Sequence, residues 1–241
     1  MIFSFKSDKG NIREINEDSF AYSYSKEGHF CAAIADGMGG HSCGEIASKL
    51  AAEMTVNYMV EVQDINENNV QIHMENAVEN ANIAIINKAK ESGACFGMGT
   101  TLVFICIIDS RVYIEHVGDS RAYLIHDGVL SQLTDDHSYI EELVKTGNIS
   151  REDASNHPKK NIITKALGTF DSSEPEFSVS VLKKNDIVLL CTDGLTNTIT
   201  NEELAQLAVS VDSPEKMCKK LISTALKNGG KDNVTVAVIK L

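Results

Sequence analysis

Residues Thr101 to Leu130 read TLVFICIIDSRVYIEHVGDSRAYLIHDGVL. Apolar and β-branched side chains dominate three runs of this stretch, Thr101–Ile108, Val112–Val117 and Arg121–Ile125, and such runs bounded by turn residues favour strands. Between Val112 and Val129 the connections are short. Gly118-Asp119-Ser120 is followed by Asp127-Gly128, and an Asp-Gly step is a strong signal for a two-residue hairpin. Strands joined this closely form a meander, because a parallel crossover needs a dozen or more residues. The sheet is therefore expected to be largely antiparallel.

Working outward, further strand-like runs occur at Phe30–Ala35, Phe177–Val181, Ile187–Cys191 and Val234–Ile239. Ile46, Leu50, Met54 and Tyr58 recur every four residues, as do Ala77, Ala81 and Ile85, so each segment predicts a helix with one apolar stripe, and the two an antiparallel pair. Thr200-Asn201-Glu202-Glu203 reads as a capping box, and Ser213-Pro214-Glu215 as an N-cap followed by Pro at the first helical position. A second helix pair over about 201–209 and 214–227 follows, and the class is α+β. With only 3 prolines and no repeat or low-complexity run, nothing divides residues 1–241, which read as one domain. Residues 135–172, polar and interrupted by His157-Pro158, are expected to be a mobile surface segment.

Composition excludes several roles. The 34 Asp and Glu outweigh 22 Lys and Arg, a net charge of −12 that repels a polyphosphate backbone, and no basic stripe overrides it, so nucleic acid is not an expected partner. Met1-Ile2-Phe3-Ser4-Phe5-Lys6 is too short an apolar stretch for a signal peptide, and Leu102 to Ile108 is too short to span a bilayer, so a soluble cytoplasmic protein is expected. The six cysteines, Cys31, Cys43, Cys95, Cys106, Cys191 and Cys218, contain no CxxC pair and read as reduced core thiols.

The informative pattern is where acidic residues sit. Asp36, Asp119 and Asp193 each follow a strand-like run, and Asp232 precedes the last one. Three have a neighbouring glycine (Asp36-Gly37, Gly118-Asp119, Asp193-Gly194), which lets the main chain come close enough for a carbonyl to act as a further ligand. Gathered on one rim, they would form an all-oxygen cluster suited to Mg²⁺ or Mn²⁺, whereas zinc favours Cys and His. The bland alternative is that each pair merely makes a turn.

Six motifs occur in order: Arg13-Glu14-Ile15-Asn16-Glu17-Asp18, Asp36-Gly37-Met38-Gly39-Gly40-His41, Gly97-Met98-Gly99-Thr100-Thr101, Val117-Gly118-Asp119-Ser120-Arg121, Thr192-Asp193-Gly194-Leu195 and Lys231-Asp232-Asn233-Val234-Thr235. Together they resemble the metal-dependent serine/threonine protein phosphatases of the type 2C-like family, in their bacterial form. The resemblance implies a four-layer α-β-β-α sandwich of two mainly antiparallel sheets flanked by helix pairs. It makes Asp36 the bridge between two cations, with the Gly37 carbonyl on the first, Asp193 and Asp232 on the second, and Glu17 and Asp18 anchoring metal-bound water. A hydroxide held between the cations would attack phosphorus in line with no covalent enzyme intermediate. Arg13 would hold the phosphoryl group, since a guanidinium can grip two of its oxygens. Asp119 would contribute to a third, weaker ion with Asp193. The partners implied are phosphoprotein substrates and an opposing serine/threonine kinase.

Some members carry a histidine, the general acid, two residues after the first aspartate, where this chain has Met38; His41 is the alternative candidate, against a role in hydrogen-bonding the loop. Glu45 reads as a helix-dipole or loop anchor. The 135–172 segment resembles the flap of bacterial members, where Ser138 and His137 would either contact substrate or cap the helix that starts there. Three competing readings exist. Gly40-His41-Ser42-Cys43-Gly44 matches a G-x-S-x-G nucleophile elbow, but six residues separate Ala35 from Ser42, and a meander contradicts a parallel hydrolase sheet. Cysteine-dependent phosphatases fit worse, because no cysteine is followed by arginine six positions later. A non-catalytic phosphoprotein binder is opposed by the retained Asp36, Asp193 and Asp232.

Overall fold

The computed structural model describes residues 1–38, 43–155, 157–159, 161–169 and 174–241. The strands are β1 (Ile2–Asp8), β2 (Asp18–Tyr24), β3 (Phe30–Met38), β4 (Gly99–Thr100), β5 (Leu102–Ile108), β6 (Arg111–Val117), β7 (Arg121–His126), β8 (Val129–Gln132), β9 (Glu176–Val181), β10 (Ile187–Cys191) and β11 (Val234–Lys240). The helices are α1 (Gly44–Glu61), α2 (Val70–Glu91), α3 (Tyr139–Lys145), α4 (Arg151–Ser155), α5 (Asp193–Thr196), α6 (Asn201–Val209) and α7 (Pro214–Lys227). One sheet runs β1-β11-β10-β7-β8; the other runs β2-β3-β5-β6-β9, with β4 added to the end of β3. Every pairing is antiparallel.

β5 shows how the layers stack. Leu102, Phe104, Cys106 and Ile108 join the core beneath α1 and α2, while Val103, Ile105 and Ile107 join the core between the sheets. A strand covered on both faces needs no polar alternation, which is why this run is continuously apolar. From the other sheet, Ala122, Val188, Leu190, Ala237 and Ile239 meet those side chains, and Leu189, Cys191, Val236 and Val238 face a third core under α5, α6 and α7. The result is the four-layer α-β-β-α sandwich. Each fully buried Val, Ile, Leu or Phe stabilises it by about 1.5–3 kcal/mol.

Two expectations are corrected. α1 forms, but its buried face is Ala47, Ser48, Ala51, Ala52, Thr55, Val56 and Met59, while Ile46, Leu50 and Tyr58 pack only at the margin. Small residues let α1 lie close over β3, whose helix-facing side chains are Cys31, Ala33 and Ala35. The one buried polar pair on this face is satisfied, with the Thr55 hydroxyl donating to Ala51 O at 2.8 Å and the Ser48 and Ser19 hydroxyls 2.9 Å apart. The second correction concerns the thiols. Cys31, Cys106, Cys191 and Cys218 are free and buried, but Cys43 and Cys95 are joined by a disulfide. Spacing in sequence does not reveal that pair, because α1 and α2 fold back on each other and bring together residues 52 positions apart.

α6 and α7 match their expected bounds. Thr200 and Glu203 form the reciprocal capping box, and the Ser213 side chain accepts from Lys216 N–H ahead of Pro214. Segment 135–172 carries α3 and α4.

Candidate metal centre

Because neighbouring strands run in opposite directions, one rim of the sandwich collects the end of β3, the start of β2, the turn from β6 to β7, the end of β10 and the approach to β11. Asp36, Asp18, Asp119, Asp193 and Asp232 occupy those positions. Asp18 and Asp36 are register partners across β2 and β3. Arg13, Glu17, Asp36, Gly37, Asp119, Asp193 and Asp232 line one cleft of about 310 Å³, with Asp18 buried beside it.

Main-chain approach sets the glycines. A Cβ on Gly37 would lie 2.1 Å from Gly44 O, and one on Gly194 would lie 1.9 Å from Asn233 O, so any side chain there would force the backbone apart. The Asp36 carbonyl accepts from Thr101 N–H at 2.9 Å and from the Thr100 hydroxyl at 2.9 Å, which leaves its carboxylate oriented by the end of the strand.

Residues without an assigned role in the sequence reading hold the carboxylates in place. The Thr192 and Thr235 hydroxyls donate to Asp18 Oδ2 at 2.9 and 2.7 Å, reaching it from the opposite sheet. Asn197 Nδ2 donates to Asp193 Oδ2 at 2.8 Å. Asn233 ties the Arg13 loop to the β11 approach: its Nδ2 donates to Lys9 O and Ile15 O, and its Oδ1 accepts from Glu17 N–H. Arg13 Nη2 meets Asp232 Oδ2 at 2.9 Å from a half-exposed position at the cleft mouth. Thr192, Asn233 and Thr235 lie within the quoted motifs, but nothing in the sequence shows which carboxylate or loop each one holds.

The electrostatics are those of a site short of positive charge. Burial, then Asp18, Asp193, Asp119 and Asp232, push Asp36 well above the usual carboxylate range. Asp18 is pushed up to about 7 by burial and by Asp193 and Asp232, against the lowering effect of its two threonine donors. Asp119 is pushed up to about 7 by burial, Asp193 and Asp136, and Asp193 to about 6 by burial and Asp232. Asp18 Oδ1 and Asp193 Oδ1 are buried without a hydrogen-bond partner among the described residues. Unpaired oxygen donors that resist ionising together are what hard divalent cations compensate, so the residues present fit Mg²⁺ or Mn²⁺.

The remaining sequence candidates fall as follows. Gly39, Gly40, His41 and Ser42 lie outside the described residues. Glu45 Oε2 accepts from Cys43 N–H at 3.1 Å, a loop anchor. Ser138 lines a neighbouring groove of about 520 Å³ that reaches Asp119 and Asp193, and its hydroxyl caps α3 by accepting from Glu141 N–H. His137 is buried behind the Gly118-Asp119 turn: its N–H donates to Gly118 O at 2.9 Å, and its Nδ1 accepts from Gly118 N–H at 3.2 Å. Together with His116 and Glu176 it forms a compact potential ligand group. The Gly118 bond places the ring proton on Nε2, 3.3 Å from Glu176, so that nitrogen has no lone pair for a metal. Burial and His116 hold His137 down at about 4, so the ring is neutral and buttresses the turn.

Against known proteins, the pattern of the protein phosphatase 2C family matches residues 12–230. The serine/threonine phosphatase stp of Listeria monocytogenes is 37% identical over 98% of this chain and 94% of its own length. The solved serine/threonine phosphatase Stp1 of Staphylococcus aureus superposes with a TM-score of 0.94 at 35% identity, over 99% of this chain and 94% of that one. A catalytic domain of the phosphatase PstP, solved with two manganese ions, superposes with a TM-score of 0.86 at 33% identity, over 98% of this chain and 96% of that one. Such agreement over nearly the full length, together with the exclusively antiparallel pairing of the described strands, argues against the parallel sheet of a serine hydrolase. With its sandwich, its carboxylate rim and these relatives in agreement, the chain belongs to the metal-dependent protein phosphatase 2C family.

Proposed function

We propose that this chain hydrolyses phosphoserine and phosphothreonine esters on proteins, using divalent cations held by the carboxylate rim. The observation that carries the reading is that rim: five aspartates gathered at one end of the sandwich, two with unpartnered buried oxygens, beside a half-exposed arginine. When bound, the cations supply a nucleophile at neutral pH and offset charge on the phosphoryl oxygens. Asp36, the Gly37 carbonyl, Asp193 and Asp232 are the groups that would hold the ions, with Asp18 and Glu17 beside them at the rim. The Thr192 and Thr235 donors fix Asp18 and favour its ionised form against the larger opposing effect of its burial. Arg13 has guanidinium N–H groups beyond its bond to Asp232, and these grip the phosphoryl oxygens. His41 is the sequence's candidate for returning a proton to the leaving alkoxide, against a role in hydrogen-bonding its own loop.

The neighbouring groove, lined in part by Ser138, Arg151, Asn161 and Asn201, accepts the polypeptide flanking the phosphoresidue. Asp119 and Asp193 line both the cleft and that groove and would together hold a weaker third ion. The catalytic domain is the whole of residues 1–241. The chain works in the cytoplasm against a serine/threonine kinase, with Mn²⁺ or Mg²⁺ as its ion; among the described residues no helix is long and apolar enough to cross a membrane. The test is release of phosphate from a phosphothreonine peptide: hydrolysis in Mn²⁺ that stops in EDTA supports the reading, and full activity in EDTA overturns it.

A further inference from the structure

Cys43 and Cys95 differ from the other four cysteines in state and position. Each is 5% exposed, whereas Cys31, Cys106 and Cys191 have no exposure and Cys218 has 1%. Cys31 and Cys106 face each other in the β3–β5 register with sulfurs 3.5 Å apart, yet stay unbonded in the core; Cys43 and Cys95 are bonded, with Cα atoms 5.4 Å apart.

The bond lies against the cation cleft. Cys43 caps α1 in a left-handed conformation, φ 90°, and the next residue, Gly44, is the one whose carbonyl abuts Gly37. Cys95 ends the 3₁₀ turn Gly93–Cys95, and Met98 N–H returns to Cys95 O at 3.1 Å before β4 pairs Gly99 with Met38 and Thr100 with Gly37. The stretch around Gly37 is thus fastened to the 95–100 stretch twice, by the β3–β4 ladder on one side and by the disulfide on the other. A non-glycine residue at positive φ is disfavoured by sterics, so cleaving the bond frees Cys43 to leave that conformation and take Gly44 away from Gly37.

We propose that Cys43 and Cys95 are a reversible thiol–disulfide exchange site through which a low-molecular-weight disulfide of the glutathione class sets the cation affinity of the cleft. In the forward direction one Cys thiolate attacks the small disulfide, forming a mixed disulfide and expelling one small thiol. The other Cys thiolate then displaces the second small thiol and closes Cys43–Cys95. Two protein thiols are oxidised, one small disulfide is reduced to two thiols, and a small dithiol drives the reverse. The bonded form holds the Gly37 carbonyl in place and binds divalent cation more tightly; the dithiol form binds it less tightly. The proposal rests on the cation-site reading above.

The test uses the full chain equilibrated in oxidised or reduced glutathione-type buffer, thiol-blocked by alkylation and mapped by mass spectrometry, with Mn²⁺ binding measured directly by calorimetry. Expected are a Cys43–Cys95 linked peptide in the oxidised sample, six alkylated cysteines in the reduced one, and Mn²⁺ binding weakened about tenfold on reduction, as when groups supporting metal ligands are lost. A Cys43→Ser/Cys95→Ser variant should bind Mn²⁺ like the reduced protein in both buffers; since the reduced chain itself gives the same comparison, a variant that does not fold leaves the test intact. Equal Mn²⁺ affinity in the two forms, or two free thiols after oxidation, overturns the proposal alone. Tight, redox-dependent Mn²⁺ binding by a chain without phosphatase activity overturns the functional reading alone, and no Mn²⁺ binding in either form overturns both.

Discussion

Replacing Asp193 by Asn should abolish catalysis and yet stabilise the metal-free protein. Burial and the charge of Asp232 raise the Asp193 carboxyl from its ordinary 3.8 to about 6. A raised carboxylate costs nothing below its unfolded-state pKa, where both states are protonated, and the native state loses stability as pH rises through the window from about 4 to about 6. Roughly two pH units correspond to about 3 kcal/mol, borne in full at pH 7.5. Asparagine keeps the size and an oxygen that can accept from Asn197, but it carries no charge to repel Asp232, Asp36 or Asp119. For a chain of this length each kcal/mol moves the midpoint about 2–4 °C, so in EDTA at pH 7.5 the variant should melt about 6–12 °C above the parent chain, and at pH 4 the two should coincide. Saturating Mn²⁺ should reverse the order, because only the parent chain gains the full binding free energy. With no tryptophan in the chain, scanning calorimetry is the suitable assay. A variant that melts at or below the parent in EDTA at pH 7.5 would show that burial and the neighbouring charge do not disfavour the Asp193 carboxylate, and the cation reading would lose its electrostatic basis.

Arg13→Ala should raise KM for a phosphopeptide about 10–100-fold, the range for losing a hydrogen-bonded charge, while calorimetry finds Mn²⁺ still bound; an unchanged KM removes Arg13 from phosphate binding. Asp119→Ala should retain two tightly bound ions by elemental analysis and lose most phosphoprotein turnover, whereas normal turnover with a lowered melting midpoint would reduce Asp119 to a turn residue. Gly194→Ala, whose Cβ would sit 1.9 Å from Asn233 O, should separate Asp193 from Asp232 and weaken Mn²⁺ binding together with stability; wild-type Mn²⁺ affinity in that variant would mean the close approach is not needed.

Much of this architecture is legible in the amino-acid sequence, for reasons that differ between elements. The doubly covered strands β3, β5 and β11 announce themselves by unbroken apolar runs, and α6 and α7 by caps that act within four residues. β1 and β2 went unmarked because they are edge strands with mixed exposure, so Ile2–Asp8 and Asp18–Tyr24 show no run that stands out. α1 is legible as a helix but not in its rotation: the large residues Ile46, Leu50 and Tyr58 carry the periodicity, while alanines make the close contact. Asp36, Asp119, Asp193 and Asp232 are legible because each sits beside the end of a strand-like run, whereas Asp18, at the start of β2, is marked only by the motif that contains it. The supports are not legible, since the threonines that grip Asp18 lie 174 and 217 positions away and meet it only after two sheets have packed. The Cys43–Cys95 bond escaped for the same reason.

That grip across the seam makes the cleft a gauge of sheet registration. Asp18 and Asp36 ride on one sheet, and Asp193 and Asp232 on strand ends of the other, so sliding one sheet past its neighbour by a fraction of an ångström changes the spacing between the two carboxylate pairs without moving any of them within its own strand. Side chains that set this alignment, such as Ile34, Val103, Leu190 and Ala237 in the seam, therefore act at a distance on the cations. Occupying the cleft with ions does the converse, pinning the two sheets in a single alignment from the rim inward.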